Sequence, residues 1–364
     1  MMSRRKTFAG GASLIAALAA SAWGLNFADA APGDLTVTRR LNRRVPYGAC
    51  VRRQPLEQDS AYKSALKAYC QQLTPEGGLN WDALRSTRDR FNFDFVDEAL
   101  AFADANAMTM RGNTLVWHDA MPDWTKDIGS AAEAEREMTT HIERVVSRYR
   151  GRIKIWHVVN EPIDDDRGKV GLRHSIWLQY LGPKYIDMAF RLAHQADPAA
   201  ELLLNENNIE CVGASFTARR QTLLNLARDL LARGVPLHGV GLQGHLPGAR
   251  QIDRDGMYQF VSDIRSLGLS VHVTELDVLD EDLPASPPVR DALVASRAYD
   301  FLECIFAATR PVAVVTWGIS DRYTWVPMWH KRKDGLGNRP LPLDENYRPK
   351  SLLSVIDYFC GAIA

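Results

Sequence analysis

The sequence predicts one α/β domain, a single (β/α)8 TIM barrel, and three observations carry that prediction. Eight short apolar runs, most of them ending in polar residues, alternate with longer stretches whose apolar residues recur every three or four positions. No Ser/Gly/Pro-rich linker, short internal repeat or low-complexity tract interrupts the alternation. The chain has 364 residues, more than the roughly 250 such a barrel typically needs. That length also admits two domains of about 150 residues, but the unbroken alternation favours one.

In chain order, residues 1–30 read as an export address. Arg4, Arg5 and Lys6 give a positive start, residues 7–28 carry no charge, and Ala28 and Ala30 supply small side chains where a signal peptidase cuts. The Arg4-Arg5 pair after Ser3, with Phe8 one place late, resembles a twin-arginine export signal. Gly10, Gly11 and Gly24 make the segment a poor membrane span. The expectation is an exported protein, periplasmic or secreted, with no membrane attachment after cleavage. Residues 31–44, basic at Arg39, Arg40, Arg43 and Arg44, read as a leading arm, and 45–364 as the barrel.

The predicted strands are 45–50, a weak one at 72–74, 108–117, 153–160, 201–205, 237–242, 269–274 and 311–317. Consecutive apolar residues such as Val271 to Val273 suit parallel strands covered on both faces. The predicted helices are 59–69, 91–106, 131–149, 176–196, 214–232, 254–267, 289–309 and a closing one at 349–359. In such barrels chemistry sits at the carboxyl ends of the strands, so the polar residues that end each run are the functional candidates.

Composition narrows the function. With 44 basic and 44 acidic side chains, the chain lacks the basic field of a nucleic-acid binder. Losing residues 1–30 would remove three basic groups and one acidic group, leaving 41 and 43 and a near-neutral surface. The nine histidines include no His-x-His and no His-Glu-x-x-His, so a metal-dependent hydrolase has little basis and no cofactor is expected. Neither a Gly-x-Ser-x-Gly elbow nor a Gly-Lys-Ser/Thr phosphate loop is present. The five cysteines show no Cys-x-x-Cys spacing, at least one must stay free, and Cys50 and Cys304 read as small core residues.

Two strand ends stand out. The fourth run closes on Trp156-His157-Val158-Val159-Asn160-Glu161-Pro162, and the seventh on Val271-His272-Val273-Thr274-Glu275-Leu276-Asp277. Two glutamates from different strand ends can converge on one cleft. Glycoside hydrolysis needs such a pair, one carboxyl protonated to donate to the leaving oxygen and the other ionised to attack or to activate water. Trp81, Trp117, Trp124, Trp317 and Trp325 offer flat faces for pyranose rings, while Asn160 and Gln243 offer directional hydrogen bonds.

These motifs resemble glycoside hydrolase family 10, the retaining endo-β-1,4-xylanases, in the same order over nearly the whole predicted mature chain. The resemblance implies Glu161 as general acid/base, Asn160 as a contact to the sugar 2-hydroxyl, and Glu275 as nucleophile. Gly241-Leu242-Gln243-Gly244-His245-Leu246 is similar to the sixth-strand motif, which implies that His245 orients the nucleophile with Asp277 behind it. The eighth-strand motif is matched by Trp317-Gly318-Ile319-Ser320-Asp321-Arg322 with Trp325, and the closing segment by 343–350. Substrate contacts implied by the resemblance are Glu76, Asn80, Trp81, Asn113, Trp117, His118, Gln243, Trp317 and Trp325. The partner is then a xylan-like polysaccharide or its oligosaccharides, handled by a monomer.

The chain departs from the family on the non-reducing (glycon) side of the cut. Where the family has Thr-Pro-Glu-Asn-x-Met-Lys-Trp, this sequence has Gly77 and Asn80 in place of the Asn and Lys. Gly-His on the third strand is Gly112-Asn113, a Gln is replaced by Ala120, and Asn-Asp-Tyr-Asn on the fifth strand is Asn205-Glu206-Asn207-Asn208. Arg52, Arg111 or Asn113 could supply replacement contacts. Two alternatives to xylan cleavage follow: the same mechanism on another β-glycoside, or a barrel that binds carbohydrate without turnover.

Overall fold

A computed structural model describes residues 43–166 and 169–361. Residues 1–42, which include the expected signal and most of the leading arm, lie outside the described residues, as do 362–364. Among the described residues eight parallel strands close a barrel: β1 (Tyr47–Val51), β2 (Gln72–Pro75), β3 (Thr109–Val116), β4 (Ile153–Asn160), β5 (Glu201–Glu206), β6 (Gly239–Leu242), β7 (Ser270–Leu279) and β8 (Val314–Thr316). Each pairs with its neighbour in sequence, and β8 closes the ring by pairing with both β1 and β7. Tyr47 lies opposite Val314, and Gly48 opposite Gln72. Even the weak second run is a strand.

Helices cover the outside and carry the predicted periodicity. Ala131–Arg148 is representative: Ala134, Met138, His141, Ile142 and Val145 are buried along one stripe, the three-and-four spacing that places side chains on one helical face. Ser130 caps it by accepting from the Glu133 backbone N–H at 3.2 Å, and Glu133 accepts from Gly129 N at 3.1 Å, a reciprocal arrangement that satisfies two otherwise open donors. The long stretch at 176–196 is broken into Ile176–Leu181 and Tyr185–Ala196 by Gly182 and Pro183. Glycine with φ +63 followed by a ring that cannot donate an N–H ends one helix and starts the next.

Three features lie beyond the predicted alternation. After β4 an antiparallel hairpin, Ile163–Asp166 with Lys169–Leu172, packs against the helix Ala214–Ala232. A short strand, His245–Pro247, pairs with the far end of β7. The arm boundary also shifts: Arg44 N donates to Gly361 O at 2.8 Å and Arg43 pairs with Asp357 at 2.6 Å, so the start of the barrel is bound to its last helix.

The bore of the barrel is more polar than the apolar runs suggest. Arg111, His157 and His272 are fully buried inside it, with Gln72 nearly so, and Asn205 and Thr274 occupy the layer above. Gly112 is required at its place, since a Cβ there would stand 2.2 Å from the buried Trp156 ring. All five cysteines are buried, with the thiols of Cys50 and Cys360 pushed up by burial, which fits small core residues. Among the described residues no helix is long and apolar enough to cross a membrane, and no cluster of His, Cys, Asp and Glu could hold a metal ion.

Candidate active site

Glu275 lies within β7, 4% exposed, at the floor of a cleft of about 380 Å³ at the carboxyl ends of the strands. Its two carboxylate oxygens have separate partners. Oε1 accepts from Asn205 Nδ2 at 2.7 Å and Oε2 meets His245 Nε2 at 3.3 Å. Burial raises the Glu275 carboxyl above its ordinary range, and the donors from His245 and Asn205 oppose that rise.

His245 is fixed from both ends. Nδ1 is 2.8 Å from Asp277 Oδ1, and the other Asp277 oxygen accepts from Trp325 Nε1 at 2.7 Å. Burial disfavours a charged imidazole, but Asp277 and Glu275 on either side outweigh it and hold the His245 pKa well above the usual value. An imidazolium donating from both nitrogens is the consequence. Edge-to-face contacts with Trp325 at 5.1 Å and Trp317 at 6.1 Å confine the ring.

Glu161 follows directly on β4 and lines the same cleft as Glu275. Its φ of +50 is uncommon for a residue with a Cβ. Surrounding bonds hold it there: its N–H donates to Asn205 O at 2.8 Å, and its carbonyl accepts from Arg173 Nε at 2.9 Å. Oε1 accepts from Gln243 Nε2 at 3.0 Å and from Asn160 Nδ2 at 3.3 Å. Asn160 Oδ1 in turn accepts from Asn205 Nδ2 at 2.7 Å and Gln243 Nε2 at 3.2 Å. Asn205 therefore links the surroundings of both glutamates, and Thr274 Oγ1 anchors it by donating to its Oδ1 at 2.7 Å.

Behind this pair, Glu206 is fully buried and accepts from Ile163 N at 3.0 Å and Asn207 N at 3.1 Å, securing the turn that presents Glu161. Burial and the nearby Glu161 charge push its pKa up to about 8. Glu76 also lies against the cleft, raised by burial and countered by Arg52 at 3.2 Å.

The cleft lining brings together Glu76, Asn80, Asn113, Trp117, Asn160, Gln243, His245, Trp317 and Trp325 with the two glutamates. The expected cleft contacts of Trp81, Trp124 and Arg111 are corrected by their positions. Trp81 is 2% exposed and turned into the core, where it stacks on His141 at 4.0 Å and donates from Nε1 to Leu115 O at 2.8 Å. Trp124 packs beside it at 6.1 Å and is absent from the lining. His118 stands 4.0 Å from Glu161 Oε2, in a small hollow that Trp117, Asn160 and Glu161 also line, where burial and the Arg173 guanidinium lower its pKa. Arg111 cannot contact a sugar because it is sealed beneath the floor. Arg52 does reach the cleft, as does Asn207 of the fifth-strand motif, and Asp119, Met328 and Trp329 line it beyond the expected contacts. Trp329 and Met328 are 77% and 68% exposed at the cleft rim.

With two glutamate carboxyls lining one aromatic-lined cleft, the comparison that decides the family is a match of residues 38–358 to the family model described as glycosyl hydrolase family 10. The chain belongs to glycosyl hydrolase family 10. It is similar to endo-1,4-beta-xylanase B of Thermotoga neapolitana, 34% identical over 86% of this chain and 87% of the relative. Beta-1,4-xylanase of Dictyoglomus thermophilum is 33% identical over 79% of this chain and 82% of its own. Among solved structures, xylanase 10B from Thermotoga petrophila RKU-1 in complex with xylobiose superposes with a TM-score of 0.79 at 30% identity, covering 91% of this chain and 98% of that one. This family 10 chain thus matches these three relatives over most of their length.

Proposed function

We propose that the chain is a retaining endo-1,4-β-xylanase that hydrolyses β-1,4-xylosidic bonds by double displacement. The observation that carries this reading is the pairing of Glu161 and Glu275 in one cleft with distinct surroundings. Glu275 is braced by Asn205 and the His245 imidazolium and is suited to act as the ionised nucleophile. Glu161 meets only amide donors at Oε1 and is suited to exchange a proton.

In the first step Glu275 attacks the anomeric carbon while Glu161 donates its proton to the departing glycosidic oxygen. A covalent glycosyl-enzyme results, and the aglycon leaves as an alcohol. Glu161, now a carboxylate, takes a proton from water as that water's oxygen displaces Glu275. The product keeps its anomeric configuration and both glutamates return to their starting states. Trp317 and Trp325 supply flat faces for the sugar, and names given to the relatives and the bound xylobiose of a solved structure agree with a xylan-type chain. Incubation with xylan yields xylo-oligosaccharides, and Glu275→Ala abolishes their release while leaving the fold intact; products from another glycoside with none from xylan would overturn the substrate class.

The same reading extends to handling. Arg4 and Arg5 before an uncharged Ala-rich stretch support export by the twin-arginine route, with a monomeric barrel of 45–364 acting outside the cytoplasm. Replacing both arginines by lysine blocks appearance of the shortened protein beyond the inner membrane, and unchanged export would count against that route.

A further inference from the structure

Asn113 stands on β3 where the chain departs from its family, and the direction of its carboxamide is fixed from below. Asn113 Oδ1 is 2.7 Å from His157 Nδ1, and His157 Nε2 is 3.3 Å from Arg111 NH1. A guanidinium has donors only. His157 Nε2 must therefore offer its lone pair to Arg111, which leaves the single proton of a neutral ring on Nδ1. That proton is donated to Asn113 Oδ1, so the amide NH2 is the end left for the cleft. Among the described residues Asn113 Nδ2 has no hydrogen-bond partner, and the residue lines the cleft beside Glu76 and Glu275.

We propose that Arg111 and His157 are positioning residues that lock the Asn113 carboxamide with its NH2 toward the cleft, so that the glycon floor donates a hydrogen bond to a sugar oxygen. The inference rests on the xylan-cleaving reading of the cleft. Arg111 is itself immobilised: Gln72 Oε1 accepts from its Nε at 3.2 Å and NH2 at 3.0 Å, and His272 Nδ1 accepts from NH2 at 3.1 Å. His272 Nε2 then faces Glu201 at 3.0 Å, so the guanidinium sets the direction of bonds on both of its sides. Burial, with Arg111 and His272 nearby, holds the His157 pKa well below the usual value and keeps the ring neutral. The donor direction is that of this neutral ring.

The arrangement compensates for part of what the chain lacks. Gly77 and Ala120 carry no polar side-chain atoms, while the Asn80, Asn113 and Asn207 amides, the Arg52 guanidinium and the Glu76 and Asp119 carboxylates line the cleft. Of these, Asn113 is the one whose donor end is dictated by buried charge.

Asn113→Asp keeps the side chain's size and its acceptor for His157 but, as the carboxylate, offers the cleft only an acceptor. On an aryl β-xylobioside its kcat/KM is expected to fall roughly 10- to 100-fold with an unchanged melting temperature, and at least as far as in Asn113→Ala. Activity of Asn113→Asp near the original level, or above that of Asn113→Ala, would overturn the donor assignment. Nitrogen-15 NMR of histidine-labelled protein reads the relay without substitution: His157 is expected with Nδ1 protonated and Nε2 bare. The opposite tautomer would overturn the relay. If the unaltered chain fails to cleave the xylobioside, the functional reading falls, while the nitrogen spectrum still tests the orientation.

Discussion

At Glu275, burial acts against ionisation and the His245 imidazolium acts for it, so the acid side of the activity profile depends on the balance between them. The nucleophile is active as the carboxylate. Removing His245 takes away a donor and a positive charge that lower the Glu275 pKa, so that pKa rises. His245→Ala is therefore expected to move the acid limb of kcat/KM to higher pH and to lower its plateau; an unmoved limb in a pH–rate profile would separate His245 from the nucleophile. Both glutamates were legible in the sequence because each ends or interrupts an apolar strand. Trp81 was not legible, because its ring direction depends on the short helix Trp81–Leu84 and on the His141 face that receives it. Asn205 was read as part of a depleted motif, yet its amide bridges Asn160 and Glu275. A motif comparison registers the lost aromatic and cannot weigh a hydrogen bond made across the barrel.

Among the elements, the first long helix shows how the cleft rim is attached. Asp59 caps Ser60–Tyr69 by accepting from Ala61 N at 2.9 Å and Tyr62 N at 3.0 Å, and its other oxygen accepts from Tyr323 at 2.9 Å and Tyr347 at 2.5 Å. One carboxylate thus joins the helix to the segment after β8. Tyr347 is the largest influence, and with the other donors it overcomes burial to bring the Asp59 pKa down to about 2. A lowered carboxylate pKa contributes stability that is present above its unfolded value and lost as pH falls through the folded one. Asp59→Ala is expected to cost about 1–2 kcal/mol near neutral pH. In denaturant melts the gap from the unaltered chain should narrow between pH 4 and 2, and a gap independent of pH in that window would contradict the assignment. Helix and strand positions followed from periodicity. The hairpin Ile163–Leu172 did not, since its short strands lack the long apolar pattern of a core element.

For the whole molecule, closure of the barrel is what makes β4 and β7 face one another across the bore and turns two distant glutamates into a pair. Double displacement predicts that the first product bears the same anomeric configuration as the bond cut. Proton NMR of an early xylo-oligosaccharide digest should show the β-anomer before mutarotation, and an initial α-anomer would exclude Glu275 as nucleophile. The near equality of 44 basic and 44 acidic groups suits a substrate of hydroxyls and ring faces rather than phosphates.

Apolar spacing and strand-end position are local properties, so the alternation of eight strands with their helices, and the two glutamates that end or interrupt strands, are readable along the chain. Which aromatic rings reach the cleft, that Asn205 bonds Glu275, and that Arg111 lies beneath the floor emerge once the barrel closes. Those outcomes depend on which side chains from distant strands share the closed bore, where buried polar atoms must find partners across the ring. Spacing along the chain does not encode that constraint.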